Sequence, residues 1–463
     1  MAAKKPDVML LKQYQKTAVD FLSEHPRAIL ADEMGLGKTL TVLRTIEIEG
    51  FTRVLVICPK FAIGVWTYEV EKWQVPLWAL QYTGSPVERA KMRKGAIYEN
   101  FRIVITNVEL VHELPVKGWD AIVIDEVHMK FRNRKNVAFK KVKPFAKETA
   151  CLLLLTGSPI VRGIQDMWPY LNLLDSGAFK SFWRFVGEYA YVTQGYFGTS
   201  IDGFRNSKKY DGMIANYMLR RTKREAEPDL PPKTRQPIPL VMTHRQRRLY
   251  SEITSEILVE LPESGRILPI PGVLARITRL RQLLITPRLL GENEQGAALT
   301  ALKEFRESTD EHLVIFTSFR QAIPHIQEAL GTFGGVVQGG MTPEQISTVV
   351  QAFQSAPLHT NLSLIVMVQS AQSYTLSKAH TSVVIGPDWT TAVMEQAEDR
   401  LHRIGQQNPV HINYFIHKDT VEDKVLKALN RKAKNALEIL TPEDFRGQVR
   451  SDLVDVLTYN PNV

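Results

Sequence analysis

At 463 residues, with 44% hydrophobic and 23% charged side chains, the chain has room for two to four domains and the balance of a globular protein, which excludes wholesale disorder. A net charge of +9 points to a polyanionic partner, and the longest apolar runs, such as 362–368, are strand-sized, which argues against a membrane span. The start, Met1-Ala-Ala-Lys-Lys-Pro-Asp7, has no apolar signal core and both cysteines, Cys58 and Cys151, fall in apolar runs, so a cytoplasmic or nuclear protein with buried reduced thiols is expected, not a secreted one.

In chain order, the first third alternates apolar runs at 28–31, 54–58, 103–106, 121–125 and 152–156 with helical or polar stretches. Each run is short and apolar on both faces, as strands of a covered parallel sheet must be. After the first run comes Asp32-Glu-Met-Gly-Leu-Gly-Lys-Thr39, followed by good helix formers at 40–49. A strand, a glycine-rich loop and a helix in that order make a phosphate cradle: backbone N–H groups approach phosphate, Lys38 meets the β/γ-phosphates and Thr39 holds Mg²⁺. The strict pattern has a glycine where Asp32 stands. The run at 121–125 leads into Asp125-Glu-Val-His128. Carboxylates at the tip of a parallel strand lie beside such a loop, where Asp125 holds Mg²⁺ through water and Glu126 polarises the attacking water.

Between 161 and 288 the pattern changes to aromatic-rich helical stretches (179–191) and a proline-rich passage, Pro228-Asp-Leu-Pro-Pro-Lys-Thr-Arg-Gln-Pro-Ile-Pro239. The passage cannot be helix and is stiff when extended, so it reads as a crossing between lobes. Strand–helix alternation resumes at 313–317, 336–338, 362–368, 382–385 and 411–416, and Thr342-Pro-Glu-Gln345 has the form of a helix start. The expected fold is α/β, with two tandem parallel-sheet lobes: 1–235 with a helical insertion at about 161–227, and 236–463 with one at about 240–295. Near the end, Gln396-Ala-Glu-Asp-Arg-Leu-His-Arg-Ile-Gly-Gln406 places Arg400 and Arg403 one helical turn apart, where they can neutralise a transferring phosphoryl group. Basic clusters at 130–143, 220–224, 245–248 and 276–281, the last with Arg279 and Arg281, suggest a nucleic-acid track.

Together with Leu11-Lys-Gln-Tyr-Gln15 and Leu154-Leu-Thr-Gly-Ser-Pro159, these motifs resemble those of the superfamily two helicases and, within them, the Swi/Snf-type (Snf-family) DNA-dependent ATPases. The specific marks are the loop at 32–39, Leu219-Arg-Arg-Thr-Lys223, Asp229-Leu-Pro-Pro-Lys233, Leu280-Arg-Gln282 and Asp399-Arg-Leu-His-Arg-Ile-Gly-Gln406. The resemblance implies RecA-like lobes, ATP and Mg²⁺ as cofactors, and DNA (duplex, forked or branched) as partner, with no membrane. It puts Gln15 on the adenine edge, Gly35, Leu36, Gly37, Lys38 and Thr39 on the phosphates, and Gln396 near the nucleotide. Asp125 and Glu126 become the metal and water residues, and Arg400 and Arg403 the arginine fingers. DNA contacts fall to Lys60, Thr106, Asn107, Gly157, Ser158, Thr317, Ser318 and Trp389, with His128 and His402 as switch residues.

One departure stands out. Where the family usually has a glycine-rich loop ending in Asn-Leu, this chain has Val368-Gln-Ser-Ala-Gln-Ser-Tyr-Thr-Leu376, with no glycine and with Thr375 in the Asn place. The function expected is an ATP-driven DNA translocase, with fork remodelling or branch migration in a bacterial or viral host cell favoured. A strand-separating helicase and a nucleotide-gated DNA-binding module are the alternatives.

Overall fold

The computed structural model describes residues 11–95, 102–160, 163–195, 198–259, 270–331, 333–357, 360–371, 374–388 and 390–423. They form two compact units that divide between Pro228 and Asp229. Among the described residues no helix is long and apolar enough to cross a membrane.

The first unit is built on a seven-stranded sheet. Its strands are β1 (Arg27–Leu30), β2 (Arg53–Ile57), β3 (Trp78–Gln81), β4 (Arg102–Thr106), β5 (Ala121–Ile124) and β6 (Cys151–Leu155), and, after an antiparallel hairpin of β7 (Tyr191–Gly195) and β8 (Gly198–Asp202), β9 (Met218–Leu219). The order is β3-β4-β2-β5-β6-β1-β9 and every pairing is parallel. Strand side chains alternate between two cores. Val54 and Val56 join α1 (Gln13–Glu24) and α2 (Lys38–Ile48) through Leu22, Val42 and Ile46, while Leu55 and Ile57 join Phe139, Val142 and Leu171 from the opposite layer. Two covered faces are the reason these strands read as unbroken apolar runs. Cys58 and Cys151 are buried free thiols, and burial raises the pKa of both.

The sequence reading missed β3 and β9, the two edges of the sheet: β3 has exposed ends and β9 has two residues, too few for a pattern. The insertion at 161–227 is helical only in part, because it also carries the β7–β8 hairpin.

The second unit has a six-stranded parallel sheet in the order β10-β15-β14-β11-β13-β12. These are β10 (Lys233–Leu240), β11 (Leu313–Thr317), β12 (Gly335–Val337), β13 (Ser363–Met367), β14 (Thr381–Ile385) and β15 (Val410–His417). The boundary drawn at 235/236 falls inside β10, so the second half of the proline-rich passage is a strand of this sheet, not a free crossing. Pro237 and Pro239 are tolerated because β10 is an edge strand, where alternate N–H groups face out of the sheet and need no partner. Between β10 and β11, the helices His244–Val259 and Ile270–Ile285 meet in a small apolar cluster of Tyr250, Ile277, Leu280 and Leu284. The helix Pro343–Ser355 starts on the capping box read from the sequence, with Thr342 Oγ1 accepting from the Gln345 amide.

One residue ties three elements of the first unit together. The Arg27 guanidinium donates to the carbonyls of Ala146, Thr149, Leu173 and Leu174 at 2.6–2.7 Å, closing the C-terminal ends of the helices Val137–Glu148 and Met167–Leu174 onto β1. Arg27→Met is expected to cost about 2–4 kcal/mol in urea unfolding, since several carbonyls lose charged donors at once. A loss below about 0.5 kcal/mol would show that water replaces the guanidinium without penalty.

Candidate nucleotide site

The loop read as a phosphate cradle runs from β1 into α2, with Gly35 and Gly37 at φ 90° and 74°. Gly37 has a second constraint: a Cβ there would lie 2.6 Å from Gln15 Nε2. Behind the loop, Tyr14 Oη and Gln15 Nε2 both donate to the Leu36 carbonyl, at 3.0 and 3.3 Å. Gln15 Oε1 accepts from the Lys12 amide, so both ends of its side-chain amide are engaged and brace the loop. Lys38, first residue of α2, donates to the Asp32 and Glu33 carbonyls at 2.7 and 3.3 Å, and Thr39 follows it half-buried.

Asp32, the residue that breaks the strict loop pattern, is 1% exposed. Arg221 forks onto it, with Nε 3.0 Å from Oδ1 and Nη2 on Oδ2, and also donates to the Tyr14 carbonyl. The Lys223 amide donates to the Glu33 carboxylate. These contacts follow from the pairing of β9 with β1, which brings Leu219-Arg-Arg-Thr-Lys223 alongside the loop. Arg221 stands in the stretch 219–223 that the sequence marks, but its role as the partner of Asp32 is not legible there, because a charge 189 positions from its partner leaves no local pattern.

Asp125 and Glu126 follow β5 directly. Asp125 accepts from Trp66 Nε1 at 2.9 Å and from the Glu126 amide at 2.9 Å. Burial, helped by Glu126, pushes its carboxyl up to about 6, while Trp66 and Lys38 pull the other way. Glu126 sits at φ 48°, a left-handed conformation a glutamate adopts only when its surroundings force it. His128 Nδ1 lies 3.3 Å from Glu126 Oε2 and 2.9 Å from Thr156 Oγ1, which in turn accepts from the Ser158 amide at 3.0 Å. Burial, together with Arg132 and Lys38, lowers His128 to about 4, so it is neutral at pH 7. Gly157 packs against the phosphate loop: a Cβ there would lie 2.6 Å from Met34 Cγ. Gly157 and Ser158, read from sequence as DNA contacts, are thus half-buried against the nucleotide loop.

In the second unit the helix Thr391–Glu398, which carries Gln396, ends before the two arginines, so Arg400 and Arg403 are not one helical turn apart. They lie on the turns that follow. Arg400 is 3% exposed; its Nε donates to the Ala371 carbonyl at 2.9 Å, so it holds the loop after β13 rather than facing open space. Arg403 is half-exposed, its Nε on the Asp399 carbonyl and its Nη1 on Thr375 Oγ1, both at 3.2 Å. Beneath them, Glu398 is 0% exposed and accepts from Arg235 Nε (2.8 Å) and Tyr414 Oη (2.7 Å). Lys233 Nζ lies 3.0 Å from Glu398 and 2.9 Å from Asp399. Burial alone would raise the Glu398 pKa, but Lys233 and Arg235 outweigh it and hold it below the usual value. His402 Nε2 donates to the Pro231 carbonyl at 2.8 Å.

The residues expected to touch DNA divide by exposure. Lys60 and Arg279 are exposed. Thr106 is buried with its hydroxyl on the Tyr82 carbonyl, and buried Asn107 accepts from the Leu110 amide, so both serve the local turn. Thr317 is buried and accepts from the Phe319 amide; Ser318 is half-buried, its amide on the Gly386 carbonyl. Arg281 is 7% exposed, donates to the Pro387 carbonyl and lies 4.9 Å from the Phe319 ring, which makes it part of the scaffold and not a surface contact. Trp389, and residues 372 and 373 of the altered loop, lie outside the described residues.

The oxygen donors Thr39 and Asp125 fit a hard cation. Among the described residues no cluster of three or more His, Cys, Asp or Glu side chains would hold a metal alone, and a hydroxyl plus one carboxylate is the sparse set Mg²⁺ uses with water and substrate phosphates. The Asp125 shift can be tested without nucleotide or metal. An acid raised from 3.8 to about 6 contributes its full stability below 3.8 and loses it as pH rises through 6. Relative to wild type, Asp125→Asn should therefore gain about 2 kcal/mol of unfolding free energy between pH 4 and pH 7. A pH-independent difference in urea melts would refute the raised value.

The SNF2-related domain model matches residues 14–289. The chain is 25% identical to "Probable chromatin-remodeling complex ATPase chain" of Oryza sativa subsp. japonica, over 93% of this chain and 41% of that protein. It is 26% identical to "ISWI chromatin-remodeling complex ATPase ISW1" of Saccharomyces cerevisiae, over 92% and 40%. It thus spans about two fifths of the length of these curated relatives. Among solved structures, the Sulfolobus solfataricus SWI2/SNF2 ATPase core in complex with dsDNA aligns with TM-score 0.45 and 23% identity, covering 94% of each chain. With the matched model spanning more than half of the chain, from the brace at Tyr14 past the helix that carries Arg281, the protein belongs to the SNF2-related domain family.

Proposed function

We propose that the chain is a DNA-dependent ATPase that couples ATP hydrolysis to movement along duplex DNA. The observation that supports the reading is geometric: the glycine loop that opens α2 with Lys38 packs through Met34 against Gly157, and Thr156 beside it bonds His128, two residues after Glu126 at the tip of β5. Lys38 and the loop amides hold the β/γ-phosphates, and Glu126, turned by its left-handed backbone, orients the attacking water. Bound through Thr39 and Asp125, Mg²⁺ would neutralise charge on the phosphates. Neutral His128 bonds Thr156 through Nδ1 and so holds the Thr156-Gly157-Ser158 loop beside Glu126. Arg403, half-exposed, is the better candidate for the arginine finger, and Arg400 shapes the loop beside it. The positive charge and exposed Lys60 and Arg279 suit phosphate backbone contacts, and the relatives are named as chromatin-remodelling ATPases.

Hydrolysis measured with no DNA and with single-stranded, linear duplex, forked and branched DNA tests the reading and ranks the substrates, fork remodelling and branch migration included. Duplex should stimulate turnover, Lys38→Ala and Glu126→Gln should abolish it, and Glu126→Gln should still bind ATP. Arg403→Ala should lower turnover by about 10³-fold with ATP affinity within a few-fold of wild type. Near wild-type turnover in Lys38→Ala would overturn the site.

The two arginines of the 276–281 cluster separate surface from scaffold. Arg279→Glu should weaken duplex binding and lower the salt slope by about one, with an unchanged melting temperature. Arg281→Glu should destabilise the second unit by about 3 kcal/mol or more, since it leaves a buried charge against a carbonyl. Equal effects of both on DNA affinity, with no loss of stability, would contradict the assignment.

A further inference from the structure

The core between the first sheet and the layer of α1 and α2 is aliphatic apart from one fully buried ring. Trp66, 1% exposed, is the single aromatic among its buried members within the described residues, and it lies with Leu22, Val42, Val56 and Val70. Ile63, Trp66 and Val70 form the buried stripe of the helix Ile63–Lys72, at the spacing that seats a helix on a sheet. Leucine or phenylalanine fills such a space without a polar atom. An indole adds an N–H donor, which needs a partner once it is buried.

That donor reaches the tip of β5. Trp66 Nε1 lies 2.9 Å from Asp125 Oδ2, 59 positions along the chain, and the Glu126 amide lies 2.9 Å from Oδ1. Other indoles donate locally: Trp73 to Glu69 of its own helix and Trp119 to the Pro115 carbonyl. On Asp125 each of the two donors uses one lone pair and leaves a second on the same oxygen. Neither donor carries a formal charge, so together they fix the orientation of the carboxylate without cancelling its charge. Asp32 shows the contrast within the same unit, since Arg221 forks onto both its oxygens and neutralises it. A guanidinium suits a carboxylate that must not repel phosphate, whereas neutral donors suit one that is to attract a cation.

We propose that Trp66 is a positioning residue for the proposed metal ligand Asp125: its indole N–H aims the carboxylate and leaves the negative charge available to a divalent cation. The assignment rests on the ATPase reading above and adds to it the core residue that tunes the strength of the metal site. Removing a hydrogen bond that orients a metal ligand costs about 10–100-fold in metal affinity or activity. A phenyl ring keeps most of the volume of Trp66 and loses the donor, so packing and positioning can be told apart at this residue.

Electron paramagnetic resonance of Mn²⁺, a paramagnetic stand-in for Mg²⁺, reads metal binding to the ADP-loaded full chain without turnover. Trp66→Phe should weaken Mn²⁺ binding about tenfold, with ADP affinity in EDTA within about twofold of wild type. In duplex-stimulated hydrolysis the Mg²⁺ concentration for half-maximal rate should rise about tenfold, while kcat at saturating Mg²⁺ falls by less than about threefold. A merely structural role would instead lower metal-free ADP binding together with Mn²⁺ binding. Should Trp66→Phe fail to fold, β-(3-benzothienyl)alanine at position 66 keeps the outline of tryptophan with sulfur in place of N–H, and the same loss of about tenfold is expected. In an Asp125→Ala background, Trp66→Phe should change Mn²⁺ binding by less than about twofold, because the bond it removes is already gone. Mn²⁺ affinity within about twofold of wild type in a folded variant, or an undiminished loss in the Asp125→Ala background, would overturn the assignment. Indifferent variants beside a wild type that binds Mn²⁺ with ADP remove this assignment alone, whereas a wild type that binds neither removes the ATPase reading with it.

Discussion

A carboxylate at 1% exposure, inside the glycine loop proposed to receive phosphates, is the constraint around which the first unit is organised. Left alone, Asp32 would repel the ligand and bear the desolvation cost of a buried charge, several kcal/mol. The Arg221 fork answers both problems, and it can do so only if the chain returns after the whole sheet has been laid down. The pairing of β9 with β1 brings it back. Two residues of strand would be too little to hold an edge by backbone bonds alone, and the ion pair beside them explains why so short a strand keeps its register.

The second unit repeats the device with the signs reversed in sequence. There the buried carboxylate, Glu398, belongs to the arginine-bearing motif, and the cations, Lys233 and Arg235, stand on the edge strand β10. A hydrophobic cluster of equal volume could hold the same turn as firmly, since buried ion pairs are often no more stabilising than apolar packing. What an ion cluster adds is register. Arg235 and Lys233 accept only one placement of Glu398 and Asp399, and with Tyr414 donating to the same carboxylate, the residues that follow start from a fixed point.

Period and punctuation carried the middle of each sheet into the sequence. β1, β2, β4, β5 and β6 are buried on both faces, and Thr342 and Gln345 announce their helix by local chemistry alone. The edges were hidden. β3 is half-exposed and β9 is two residues long, while β10 carries prolines that rule out a central strand but not an edge one. Within the site, residues defined by backbone geometry were legible: the glycines, Lys38, and the carboxylates at the tip of β5. Residues defined by a distant partner were not. Nothing local distinguishes Arg279, which faces solvent, from Arg281, which is packed over Phe319, or marks Trp66 as the indole that donates to Asp125.

The loop without glycines shows how a departure from pattern is absorbed. Glycine would serve there by allowing the backbone to come close to another strand or a ligand. This chain instead uses the side chain of Thr375, whose hydroxyl accepts from Arg403, and backbone carbonyls at Ala371 and Tyr374 that accept from Arg400. A threonine hydroxyl and an asparagine carbonyl both offer an acceptor to a guanidinium, so the residue that differs from the family habit keeps the one property this contact needs. The arginines therefore hold the described residues on either side of positions 372 and 373, Ala371, Tyr374 and Thr375, by direct hydrogen bonds.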